Sequence, residues 1–219
     1  MMRTAESLKD QLNAFSEEVA EKAPPKVLEI YERGIVDVAK TGILERALKA
    51  GDPAPRFELP NARGNRVSLD GLLRRGPVVL VWYRGGWCPY CSLQLRAMQE
   101  VLPEIAKRGA SLAAITPELP DHSLATTEKN ALGFEVLSDA GNHIAERFGI
   151  AFKIPADVAD IYRSKFSLLE YNGDGTDVLP LAAAHIIDRD GMIAWTFLHA
   201  DYRKRAEPAE IIDALDDLG

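Results

Sequence analysis

An unbroken apolar run, Val78-Val79-Leu80-Val81-Trp82-Tyr83, stands shortly before Cys88-Pro89-Tyr90-Cys91. A run without polar alternation reads as a strand covered on both faces. Such strands belong to sheets with helices on either side, which restricts the chain to an α/β layer architecture. Pro89 suits the first turn of a helix, where a missing N–H costs nothing. Cys88 then falls at a helix N-terminus, where free amides and the helix dipole favour an anion by ~0.3–1 kcal/mol when exposed and up to ~2 when partly buried. Cys91 follows one turn later on the same face. The thiolate is the reactive form of cysteine, so this placement points to redox chemistry, with Cys88 attacking and Cys91 resolving.

These are the only two cysteines among 219 residues. A chain of this length buries a sizeable core without covalent staples. Its 47% hydrophobic and 27% charged residues argue against disorder, and a net charge of −7 with no basic run argues against nucleic-acid binding. The N-terminus lacks the apolar core of a signal peptide, and no apolar run reaches membrane-spanning length, so a cytoplasmic location is expected. In a reducing compartment a lone CxxC works as a thiol pair rather than a staple. Zinc needs four ligands, and His122, His143, His185 and His199 are too scattered to complete a set with the two cysteines. Neither a metal nor a cofactor is expected.

The chain divides near Gly51-Asp52-Pro53, giving a helical extension over 1–50 and an α/β domain over 51–219. Leu8, Leu12, Phe15 and Val19 form one helical stripe; Val27, Ile30, Tyr31, Ile35 and Val38 form a second after Pro24-Pro25. Striped helices usually face their own core, so a lid on the main domain is the expectation, with a dimerisation arm and a homodimer as the alternative. In the domain, short strands are expected at 57–59 and 67–69, and a long one at 78–83. A helix follows over 89–108, which Pro103 should bend or split. Next come a strand at 111–116, a helix at 123–132, a strand at 134–137 and a helix at 142–148. Residues 150–178 show no clear periodicity. A hairpin, 183–187 and 192–198 around Asp188-Arg189-Asp190-Gly191, precedes a closing helix at 207–218.

Several motifs occur in order: Gly51-Asp52-x-Ala54-Pro55-x-Phe57-x-Leu59, Arg84-Gly85-x-Trp87-Cys88-Pro89-Tyr90-Cys91, Leu137-Ser138-Asp139, Phe148-Gly149 and Ile187-Asp188-x-x-Gly191-x-Ile193. Together they resemble the AhpC/TSA (peroxiredoxin-like) family of the thioredoxin superfamily. The tail Asp201-Tyr202-x-x-Arg205-x-Glu207-Pro208 looks like that of one peroxiredoxin-like branch. The resemblance implies a thioredoxin-like mixed sheet flanked by helices. It also implies a thiol-dependent peroxidase acting on hydrogen peroxide or organic hydroperoxides, recycled by an external thiol such as thioredoxin, glutaredoxin or glutathione.

The chain departs from that family's pattern around the reactive cysteine. Val81 and Gly85 occupy the places of its proline and its peroxide-polarising threonine, and Ala182 that of its late-strand arginine. Pro180 lies two positions from the point where thioredoxin-like relatives carry a proline. Arg84 and Arg203 are the candidates to supply the missing positive charge. Trp87 and Tyr90 either shape an apolar substrate surface or simply pack. His185, on a buried strand, reads as a neutral core histidine. Two alternative readings stay open: a thiol–disulfide reductase, which CPYC suits, and a redox-sensing or binding module with little turnover.

Overall fold

A computed structural model describes residues 6–218. Three helices come first, α1 (Leu8–Lys22), α2 (Pro25–Lys40) and α3 (Ile43–Arg46), followed by the hairpin β1 (Glu58–Pro60) and β2 (Arg66–Ser68) and by α4 (Leu69–Leu73). The central layers are β3 (Val78–Trp82), α5 (Pro89–Glu100), α6 (Leu102–Lys107), β4 (Ser111–Thr116), α7 (Pro120–Lys129), β5 (Glu135–Ser138) and α8 (His143–Arg147). Then come β6 (Ala151–Lys153), α9 (Ala156–Lys165), α10 (Leu168–Asn172), β7 (Val178–Pro180), β8 (Ala184–Ile187), β9 (Ile193–Phe197) and α11 (Pro208–Asp216).

The main sheet has the order β5-β4-β3-β8-β9. β3 is parallel to β4, and β4 to β5, while β8 and β9 run antiparallel. β3 is therefore the middle strand, and all its residues are buried, as the apolar run requires. Its side chains alternate between two cores. Val78, Leu80 and Trp82 face a layer that includes Ile43, Leu69, Leu72 and Phe148. Val79 and Val81, with Tyr83 beyond the strand end, face α5 through Cys91, Leu95 and Met98, together with Ile211 and Leu215 of α11.

The N-terminal helices pack against the rest of the chain. Leu8 and Leu12 of α1 join the same core as the two cysteines, and Phe15 meets the Tyr90 ring edge-on at 5.0 Å. α2 lies so close to α9 that a Cβ on Gly34 would sit 2.7 Å from Val158 Cγ2. Ile43 and Ala47 are buried in the core of the main domain, so the extension also supplies core residues.

Two expectations need correction. Residues 150–178 are not irregular: they form β6, α9, α10 and β7. α9 escapes the periodicity test because its buried residues, Val158, Ala159 and Tyr162, are interspersed with Asp157, Asp160 and Arg163, and the apolar stripe is short. The helix expected at 123–132 begins earlier, at Pro120, which occupies the first helical position after Leu119. Pro103 does split the long helix, into α5 and α6, with Val101 between them at φ −95°.

Candidate active site

The turn from β3 into α5 builds the site. Gly85 sits there at φ +151°, and a Cβ on it would lie 2.2 Å from Trp87 Nε1. A threonine cannot adopt this backbone beside this indole, which accounts for the glycine in the threonine's place. The Cys88 N–H donates to Gly85 O at 3.1 Å, and Cys88 O accepts from the N–H groups of Cys91 (3.1 Å) and Ser92 (3.2 Å). Cys88 is thus the N-cap residue of α5 with Pro89 in its first turn, as the sequence predicts. Both thiols are free and buried, at 2% exposure for Cys88 and 0% for Cys91.

Two buried arginines flank the pair. Arg84 donates from Nη2 to the Tyr162 hydroxyl. Its guanidinium carbon stands 4.5 Å from the Tyr202 ring centroid, 5.1 Å from Trp87 and 5.4 Å from Tyr162. The aromatic faces hold the cation in place without neutralising its charge. Arg84 also lines a narrow apolar cleft with Tyr31, Val158 and Ala182. Its charge thus borders the cleft that Ala182 leaves without a cation.

Arg205 reaches the sulfur itself, with Nη2 3.4 Å from Cys91 Sγ. Arg203, the other sequence candidate, does not contact a sulfur. Its guanidinium is taken up by Asp201 (2.8 and 2.9 Å) and by Glu32 of α2 (2.5 and 3.1 Å), fastening the lid. Trp87 packs on Phe166 (4.7 Å) and Tyr162 (5.4 Å), and Tyr90 on Phe15 and Tyr202 (5.6 Å), with its hydroxyl accepting from Ser16 Oγ at 3.3 Å. Tyr90 therefore packs between α1 and the C-terminal tail, and Trp87 packs against α9.

The electrostatics of the pair differ from the helix-dipole expectation. Contact with Cys91, then burial, pushes the Cys88 thiol well up. Burial also pushes Cys91 up, but the Cys88 thiol, Arg205, Arg84 and the Arg84 backbone outweigh it and bring Cys91 below the usual thiol range. The Cys88 thiol and the two cations converge on Cys91 and favour its thiolate. A dipole worth up to ~2 kcal/mol when buried acts there against the Cys88 thiol contact and two nearby guanidinium groups in a dry site.

Glu118, just after β4, is a third buried charge. Its Oε1 accepts from Gly86 N–H at 2.9 Å, and burial raises its pKa to about 7 despite that bond, with the nearby Cys91 charge adding to the rise. His185 lies in the core edge-on to Phe148, and burial pushes its pKa down to about 4, so it stays neutral. Sequence reading overlooked Tyr162, Glu118 and the role of Arg205. Only Arg205 carried a signal, its place in the tail motif.

Comparison with known proteins identifies the class. The AhpC/TSA family model matches residues 50–196, and the chain belongs to that family. Peroxiredoxin Bcp of Escherichia coli K12 is 35% identical over 104 residues, which cover 47% of this chain and 65% of that protein. Chloroplastic peroxiredoxin Q of Triticum aestivum is 27% identical over 159 residues, 73% of this chain and 63% of the relative. The fold is also that of peroxidoxin BcpB from Mycobacterium tuberculosis, with a TM-score of 0.62 and 22% identity over 78% of this chain and 99% of that one. The mixed sheet with its flanking helices is thus the thioredoxin-like fold.

Proposed function

We propose that the protein is a thiol-dependent peroxidase working through Cys88 and Cys91. The observation that carries this reading is the pair itself: two free thiols at the start of α5, flanked by the buried Arg84 and Arg205. Cys88 attacks the peroxide as its proton passes to Cys91. A sulfur–oxygen bond forms, the oxygen–oxygen bond breaks, and the leaving hydroxide or alkoxide takes the proton from Cys91. The Cys91 thiolate so regenerated attacks the Cys88 sulfenic acid: the disulfide bond forms, the sulfur–oxygen bond breaks, and hydroxide leaves and takes a proton from solvent to become water. Two thiols of an external reductant, of the thioredoxin, glutaredoxin or glutathione kind, restore the pair and leave as a disulfide. Arg84 is placed to attract the peroxide. A protein of similar fold, the bacterioferritin comigratory protein of Xanthomonas campestris (13% identical, TM-score 0.56), is described as having alkyl peroxide reduction activity, which is in line with an organic hydroperoxide as one substrate class.

In this reading residues 51–219 form the catalytic unit and residues 1–50 an appended lid; Cys88 and Cys91 react, Arg84 faces the substrate, and Trp87 and Tyr90 pack around them. The working location is the cytoplasm. A second reading, thiol–disulfide exchange, is favoured by one observation: glycine and alanine stand where the usual peroxide clamp would be, at Gly85 and Ala182. Stopped-flow reaction of the reduced protein with hydrogen peroxide, an alkyl hydroperoxide and a small disulfide separates the two. Oxidation faster with a peroxide than with the disulfide is the expected result; the reverse order would replace peroxidase by reductase.

A further inference from the structure

The tail Asp201-Tyr202-x-x-Arg205-x-Glu207-Pro208 lies beyond the residues matched by the family model. The structure gives each of its members a task. Asp201 holds Arg203, Tyr202 stacks on Arg84, and Glu207 and Pro208 start α11 with a reciprocal cap. Arg205 is left at the centre, only 6% exposed. Its Nε donates to Gln94 Oε1 at 2.9 Å, and Nη1 donates to the carbonyl oxygens of Lys204 (2.8 Å) and Tyr202. Gln94 itself is 1% exposed and stands on α5, one turn after Cys91. Fixed on three sides, Arg205 directs Nη2 at Cys91 Sγ from 3.4 Å. None of these partners is an acid, so its charge is spent on the sulfur.

We infer that Arg205 is a positioning residue that holds Cys91 as the leaving and resolving thiolate, so that the C-terminal tail sets the redox poise of the pair. When a reductant thiolate attacks the disulfide at Cys88, a new bond joins Cys88 Sγ to the reductant sulfur. The Cys88–Cys91 bond breaks, and its electron pair leaves on Cys91 Sγ, beside Arg205. In the forward direction the same contact keeps Cys91 ionised to attack the Cys88 sulfenic acid. Stabilising the thiolate stabilises the reduced form and makes the disulfide more oxidising. The other groups that bear on Cys91 are Arg84 and Tyr83 after β3, Cys88 on α5, Glu118 after β4 and Tyr162 on α9. Arg84 is shared with the aromatic rings, so Arg205 is the cation committed to the sulfur.

This inference rests on Cys88 and Cys91 being the redox pair, and the test separates the two. The disulfide of the full chain is equilibrated with dithiothreitol in its reduced and oxidised forms, for the wild type, Arg205→Met and Arg205→Lys. Arg205→Met should shift the equilibrium about tenfold toward the disulfide, roughly 30 mV for a two-electron couple, with Arg205→Lys in between. In parallel, ultraviolet thiolate absorbance follows Cys91 alone in Cys88→Ser. Its midpoint should lie below the ordinary cysteine value of ~8.5 and rise when Arg205→Met is added. If Arg205→Met does not fold, Arg205→Lys and the Cys88→Ser titration still decide. A Cys88→Ser midpoint at or above the ordinary value overturns the inference, as does a folded Arg205→Met within about twofold of wild type. Failure to form any intramolecular disulfide would instead defeat the redox-pair reading itself.

Discussion

Glu118 offers a quantitative test of the buried charges around the thiols. It is fully buried, one oxygen accepts from Gly86 N–H, and the other finds no hydrogen-bond partner among the described residues. Burial raises its pKa from 4.5 to about 7. For an acid with a raised folded-state pKa, the fold favours the protonated form. Nothing is lost below the unfolded value, the loss grows as pH climbs toward the folded value, and it is complete above that. At ~1.4 kcal/mol per unit, this shift lowers stability by about 3 kcal/mol on passing from acid to neutral and mildly basic pH. Glu118→Gln keeps the acceptor for Gly86 and removes the titration. Its amide hydrogens face the unpartnered side and cost ~1–3 kcal/mol, but by the same amount at every pH. The stability difference between Glu118→Gln and wild type should therefore move by about 3 kcal/mol in favour of the variant between about pH 4 and pH 8. Urea unfolding of the disulfide form, which lacks the Cys91 charge, measures the burial part of this, somewhat below ~3 kcal/mol, without interference from thiol titration. The reduced form should show a steeper dependence, because the Cys91 charge adds to the shift. A difference between variant and wild type that stays constant with pH would refute the argument.

Other consequences are equally direct. Arg84→Met should slow oxidation of the reduced protein by peroxide on the order of 10²–10³-fold, since it removes the cation bordering the cleft, and stopped-flow mixing tests it; an unchanged rate removes Arg84 from the site. Mild peroxide should take two hydrogens from the wild type by mass spectrometry, while Cys91→Ser should accumulate a sulfenic acid or an intermolecular disulfide. Identical products from both proteins would end the resolving role of Cys91. Leu12, 4% exposed in the core it shares with the cysteines, fastens α1 over α5. Leu12→Ala should cost ~2–5 kcal/mol and speed labelling of Cys88 by a bulky maleimide; unchanged labelling would mean that α1 does not guard the thiols.

Much of this protein is legible in order along the chain. The buried strand, the thiol pair at the helix start, the split at Pro103 and the closing helix after Pro208 all depend on neighbours within a few residues. Unbroken apolarity, proline's fixed φ and its missing N–H are local properties, so the sequence alone determines them. The motifs from Gly51 to Ile193 likewise carried the family. What the sequence could not determine was which distant groups meet at the sulfurs. Arg203 and Arg205 are near neighbours in an extended tail, yet one ties the tail to Glu32 of α2 and the other touches Cys91. Tyr162 comes from a helix with too short a stripe to recognise, and Glu118 from a loop after β4. The helix dipole was readable in sequence and favours Cys88; the contacts that favour a thiolate on Cys91 come only with the fold. The physical reason is that burial and Coulomb attraction depend on separation in space, and in a dry interior a single guanidinium a few ångströms away outweighs the local field of a helix end. Only the packing of β3, α5 and the C-terminal tail decides where that guanidinium stands.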